Sequence, residues 1–277
     1  MEAAAETLAA LRAAVARIEA GGVDIRAAGR RIALGPSGPD VALGGGLRRG
    51  TLHAVTAASA AGAASVTGFA AALAGRAAAG TRRAALWIRL DMAARENGEI
   101  WGPGLGAAGL DPSRLVLVRA PDLASALKAA EVGLGSGALA SVVIEPFGAM
   151  AGFDRVAGRR LALAAGRSGA LALMLLLSAP PRAASGAASG PARASPLPAG
   201  FSAAETRWRL APLSSGWRAS AEDEARRDPL EEGDGWGRPQ ALAELVRNRR
   251  GGLGRWPLAW GFDDGLFRLA ERRSGLL

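Results

Sequence analysis

An α/β fold built on a mostly parallel sheet is the architecture this sequence predicts, and three observations predict it. Apolar runs of strand length recur without alternation at 84–90 (AALWIRL), 115–119 (LVLVR), 140–145 (ASVVIE) and 170–177 (ALALMLLL). Such runs belong to strands covered on both faces. Helical segments separate them, which is the order of a parallel sheet wrapped by helices. From residue 206 the apolar period changes to two, as in half-buried strands that extend a sheet antiparallel at one edge.

Taken in order, residues 2–20 carry Leu8, Leu11, Val15 and Ile18 on one helical face, and Gly21–Gly22 end the stripe. A helix over 1–22 is therefore set apart from a main domain over 23–277. It docks either on that domain or on a neighbouring chain, which makes self-association through it one expectation. Residues 23–50 are rich in glycine and proline and read as turns. Thr51–Val55 reads as a strand and Ser65–Ala79 as a helix. Strand 84–90 is followed by an irregular stretch, 91–113, with a short helix. Strand 115–119 leads into a helix over Asp122–Leu134, strand 140–145 into a helix over Phe153–Ser168, and strand 170–177 closes the apolar series. Residues 178–203, mostly Pro, Gly, Ala and Ser with Arg182 and Arg193, form a long flexible loop. Alternating strands are expected at 206–213 and 241–248, with a charged loop over 214–238 between them. Two short strands around a turn at Asp263–Gly265 complete 255–270.

Composition removes several chemistries. The 277 residues include no cysteine and one histidine, His53. Disulfide frameworks, thiolate metal sites and histidine clusters are excluded. Thirty-four basic residues against 25 acidic ones give a formal net charge of +9, which favours a polyanionic partner, nucleic acid first. Arginine and alanine excess from mutational bias is the competing explanation. The N-terminus begins with acidic residues and alanine instead of a basic segment and an apolar run, and no apolar stretch is long enough to span a bilayer. A cytoplasmic protein without membrane contact is expected.

The stretch 41–80 has the strand–loop–helix layout of a phosphate-binding loop. The Gly-x-x-x-x-Gly-Lys-Ser/Thr pattern falls, without a gap, on Ala57, Gly62, Ala63 and Ala64. One glycine remains; alanines replace the lysine and the magnesium-binding hydroxyl. Lys128 is the only lysine in the chain, so no other lysine can substitute. Arg48, Arg49, Arg82 and Arg83 have no spacing that aims them at the loop. This reads as a nucleotide-binding scaffold without its chemistry: no catalytic residue, no metal and no cofactor are expected.

The order of elements resembles the RecA core, carried by GGGLRRGTLHAV, the strand–helix series and the loop at 178–203. More closely, the chain resembles the ImuA family, RecA-like accessory proteins of bacterial translesion synthesis. Residues 49–70, LWI at 86–88, 102–127, 137–148, TRWRLAP at 206–212 and 244–260 carry that resemblance. It implies a RecA-like core and a non-catalytic role in mutagenesis induced by DNA damage. The implied partners are ImuB, an inactive relative of Y-family polymerases, and an error-prone C-family DNA polymerase. A divergent RecA-like DNA-dependent ATPase and a SulA-like partner-binding inhibitor stay open as alternatives.

Glu145 ends a strand where RecA-like ATPases keep a metal-positioning acid, and Asp91, Glu96 and Glu99 lie where they place a water-activating glutamate. Without the lysine and the hydroxyl, a polar strand end and a solvated acidic loop are the simpler account of these residues. His53, alone within its strand, reads as structural. The basic–aromatic stretches offer Arg207, Arg209, Arg247, Arg249 and Arg250 as contacts to DNA phosphates. Arg207 and Arg209 share one strand face, with Trp208 on the other.

Overall fold

The structure, a computed structural model, describes residues 31–148, 150, 152–177, 197–214 and 239–270. The helix expected over 2–20, the loop arginines Arg182 and Arg193, and nearly all of the charged loop 214–238 lie outside them.

Short strands β1 (Arg31–Ile32) and β2 (Leu47–Arg48) pair antiparallel around helix α1 (Ser37–Ala42). Strand β3 (Leu52–Ala57) leads through one turn into helix α2 (Ala63–Ala78). Strand β4 (Ala84–Leu90) is followed by short helices α3 (Asp91–Asn97) and α4 (Gly102–Ala107). Then come β5 (Leu115–Ala120), α5 (Leu123–Gly135), β6 (Leu139–Glu145), α6 (Arg155–Ser168) and β7 (Leu171–Leu176). Strands β8 (Thr206–Pro212), β9 (Gln240–Asn248), β10 (Gly254–Trp260) and β11 (Phe267–Leu269) finish the described chain.

Nine strands form one sheet in the order β11-β10-β9-β8-β3-β7-β6-β4-β5. Six of them, β5 to β8 across the list, run parallel; β9, β10 and β11 extend the sheet antiparallel. The expected α/β architecture, with a mostly parallel sheet, helices on both faces and antiparallel edge strands, is borne out. Strand β4 has the predicted bounds. Strand β3 runs two residues past the predicted Val55, because Thr56 is buried and its hydroxyl donates to the Trp208 carbonyl at 2.9 Å. The stretch 91–113, expected to be irregular with a short helix, holds two short helices.

Two apolar cores flank the sheet. On one face α2 packs on Val55, Trp87, Leu173, Trp208 and Leu258. On the other, α5 and α6 cover Ala54, Ile88, Ile144 and Met174. The buried side of helix α2 is mostly alanine and glycine, with Val66, Phe69 and Leu73 among them, and Gly75 meets the backbone at Gly109. Asp122 and Asp154 cap α5 and α6, each accepting from a backbone N–H three residues on. Strand β5 is the far edge of the sheet, and its Val116 and Leu117 remain half exposed.

Candidate functional site

Because six strands are parallel, their C-terminal ends Ala57, Leu90, Ala120, Glu145, Leu176 and Pro212 share one edge. Ligands of open α/β sheets bind at that edge. The β3–α2 connection lies there and is closed on itself. Ala58 donates its N–H to the Leu210 carbonyl at 2.7 Å, and the Gly62 N–H goes to the Ser59 carbonyl at 2.9 Å. A Cβ on Gly62 would stand 3.0 Å from the Leu210 oxygen, so the connection rests directly on β8. Ala57 is the last residue of β3, and Ala63 and Ala64 open α2. None of these side chains can carry charge.

Glu145 is buried, and its carboxylate is fully engaged by its neighbours. Arg89 donates from Nε to Oε2 at 2.9 Å and from a terminal nitrogen to Oε1 at 2.8 Å; Trp87 Nε1 adds a third bond to Oε2 at 2.9 Å. Arg89 also donates to the Gly98 carbonyl at 2.9 Å. The two charged residues are direct partners in the β4–β6 register, so this is a bidentate pair built across neighbouring strands. A metal ion would have to displace a guanidinium from a buried carboxylate.

The row continues outward. Arg89 is level with Arg119 of β5, which reaches Asp91 at 3.2 Å and Glu99 at 2.5 Å. Glu99 also lies 3.9 Å from Arg89. Two of the three loop acids considered as a water-activating base are thus ion-paired to arginine. Sequence reasoning missed Arg89, although a charged residue inside a doubly covered strand is itself a signal that a buried counter-charge must exist.

The arginines at the start of β3 and β4 lie at the opposite edge. Arg48 pairs with Glu205 at 3.0 Å, Arg49 donates to the Ala77 carbonyl at 2.7 Å and Arg83 to that of Ser168 at 3.4 Å. None of these bonds is to the β3–α2 connection. His53 is fully buried there: Nε2 lies 2.9 Å from the Arg48 carbonyl and 2.7 Å from the Thr51 hydroxyl, while Nδ1 lies 2.8 Å from the Thr206 hydroxyl. A carbonyl can only accept, so the hydrogen-bond pattern assigns the proton to Nε2 and makes Nδ1 the acceptor from Thr206. Burial lowers the His53 pKa from its ordinary value, outweighing the hydrogen bond to the Arg48 carbonyl. The ring is a structural bolt between β3 and β8.

The five arginines proposed from the sequence as phosphate contacts do gather, on β8, β9 and the turn after β9. They differ in their surroundings. Arg209 is paired with Glu244, at 2.5 and 3.0 Å. Arg250 lies 3.6 Å from Glu205, and Arg249 donates to the Ser202 carbonyl. Arg207 and Arg247 face each other across the β8–β9 ladder, and neither has a carboxylate partner among the described residues. Arg207 is half-buried, and burial, followed by the charge of Arg247, lowers its pKa. Trp208 is buried behind them, as the strand alternation requires. Phe201 is also buried, edge-on to Phe153 at 5.2 Å, and is not available to stack on bases.

Among the described residues no cluster of three or more histidine and acidic side chains is placed to hold a metal ion. No described helix is long and apolar enough to cross a membrane. No protein-family model matches the chain. Among curated proteins it is similar to Protein ImuA from two strains of Caulobacter vibrioides, at 34% identity over 160 residues in each case. That stretch is 58% of this chain and 56% of each relative, so the match spans about half the length of those proteins.

Proposed function

We propose that this chain is a non-catalytic accessory protein of damage-induced, error-prone translesion DNA synthesis. It acts in the cytoplasm with an ImuB-like protein and an error-prone C-family DNA polymerase, and it contacts DNA through arginines of β8 and β9. The similarity to Protein ImuA supports the pathway. The absence of catalysis is supported above all by one observation: the acid at the end of β6 is already held by Arg89 and Trp87. Nucleotide hydrolysis needs that edge to present a lysine, a metal and a free acid to the phosphates. Here alanines stand at the lysine and hydroxyl positions, two loop N–H groups are bonded to protein carbonyls, and the carboxylate is neutralised.

Two measurements on the full chain test this. A pull-down against the products of adjacent genes, with and without DNA, is expected to retain an ImuB-like protein. ATP turnover is expected to stay at background with single- or double-stranded DNA. DNA-stimulated turnover well above background by the parent protein would overturn the non-catalytic reading and favour a divergent ATPase. The stripe of Leu8, Leu11, Val15 and Ile18 is a candidate self-association helix, so Leu11→Asp is expected to lower the association state without unfolding the core.

A further inference from the structure

We propose that Arg207 and Arg247, with Arg249 beside them, form a phosphate-binding site at the edge of the sheet opposite the β3–α2 connection. The inference rests on the DNA-contact part of the reading above and narrows five candidate arginines to a site with a definite ligand.

The strand register places the group. Arg207 is level with Ala54 of β3, whose side chain belongs to the core under α5 and α6, so Arg207 stands on that side of the sheet. Arg247 is its direct partner on β9. Like charges directly opposite one another destabilise a strand pair. Two levels along the same ladder, past a register shift after Arg207, stands the ordinary solution, Arg209 against Glu244. At Arg207 that solution is missing, and its buried Nε meets no acceptor among the described residues. The nearest acid in sequence, Glu205, is already shared by Arg48 and Arg250. Burial disfavours the charge on both Arg207 and Arg247, and each is further opposed by a neighbouring arginine. Two partly buried arginines opposite one another on paired strands, one of them with an unmet Nε donor, are complementary to a tetrahedral oxyanion that accepts forked hydrogen bonds. On the same edge a cleft of about 350 Å³ opens between Leu52, Ala162, Ala203, Glu205, Arg249 and Arg250, and of the three site arginines it is Arg249 that lines it.

The shared chemistry is a phosphate group, either a phosphodiester of a DNA strand or free phosphate, and the test separates them. Full-length protein is titrated into a labelled single-stranded oligonucleotide of ~20 nucleotides over a series of salt concentrations. In parallel, its thermal midpoint is read with and without inorganic phosphate. Arg207→Met and Arg247→Met are compared with Arg160→Met, which removes an equal charge from a surface pair with Glu131. The oligonucleotide affinity is expected to fall roughly tenfold for the two site variants, with the salt slope reduced by about one, and to change less than about threefold for the control. Stabilisation by phosphate should vanish in the same two variants. Without ligand, Arg207→Met should melt about 2–4 °C higher than the parent, because an orphaned donor and a like-charge pair are removed. Loss of phosphate stabilisation in the two variants, with no oligonucleotide binding by the parent, supports the site with free phosphate as its ligand. That result would remove DNA contact from the functional reading and leave the accessory role standing. Equal loss in all three variants, a lower ligand-free midpoint for Arg207→Met, or no response of the parent to either ligand would overturn the proposal.

Discussion

At Glu145 the difference between a working site and a structural one comes down to a single neighbour. A buried carboxylate must find counter-charge, and Arg89 supplies it with two hydrogen bonds while Trp87 adds a third. Removing one member leaves the other charged, buried and unpaired, which costs about 3–5 kcal/mol. Arg89→Met is therefore expected to lower the urea midpoint severely, and the double variant Arg89→Met/Glu145→Met to recover most of the loss. His53 gives a second residue-scale prediction. Its pKa is lowered in the folded state, so the unfolded chain binds the extra proton first as pH falls. The stability it supports is complete above the unfolded value of about 6.5 and is lost progressively as pH falls below it towards the folded value. Urea unfolding between pH 5 and 8 should show that decline, and His53→Gln should flatten it.

Helix α2 makes the corresponding argument for elements. It carries two glycines in its interior whose surroundings differ. A Cβ at Gly75 would lie 2.1 Å from the Gly109 carbonyl oxygen, while nothing stands within 4 Å of one at Gly68. Alanine gains up to about 1 kcal/mol of helix propensity at either place. At Gly68 that gain should appear in full as a higher thermal midpoint. At Gly75 the backbone clash exceeds it, and Gly75→Ala should lose about 1–3 kcal/mol in urea unfolding. The sequence makes this helix legible through its small residues, but the two glycines look alike until the α4 loop is placed over one of them. Strand β4 was legible to the residue for the opposite reason: apart from Arg89, AALWIRL is apolar on both faces, and it is bounded by arginines and Asp91. The partner of its Arg89 was not legible, because Glu145 lies 56 residues away and only the β4–β6 register brings them level.

Among the described residues, the edge that holds the β3–α2 connection carries Glu145, Asp91 and Glu99 paired to Arg89 and Arg119, while Arg207 and Arg247, without a carboxylate partner, lie towards the other edge. What composition could say, a net charge of +9, carries no direction. The fold supplies it by returning the chain through β8 and β9, so that TRWRL and VRNRR, far apart in the sequence, lie on adjacent strands. The β8–β3–β7 arrangement also sets when the protein can become itself during synthesis. Strand β3 is made early, yet both of its neighbours are late: Leu52 is level with Ala172, and His53 with Thr206. At 5–20 residues per second, roughly 7–30 s separate the emergence of β3 from that of β8. Through that interval the central strand has no partner on either side for most of the time, and the alanine-rich helix behind it has no finished surface to cover. A message cut short before β8 yields a chain in which one edge of its middle strand has no partner.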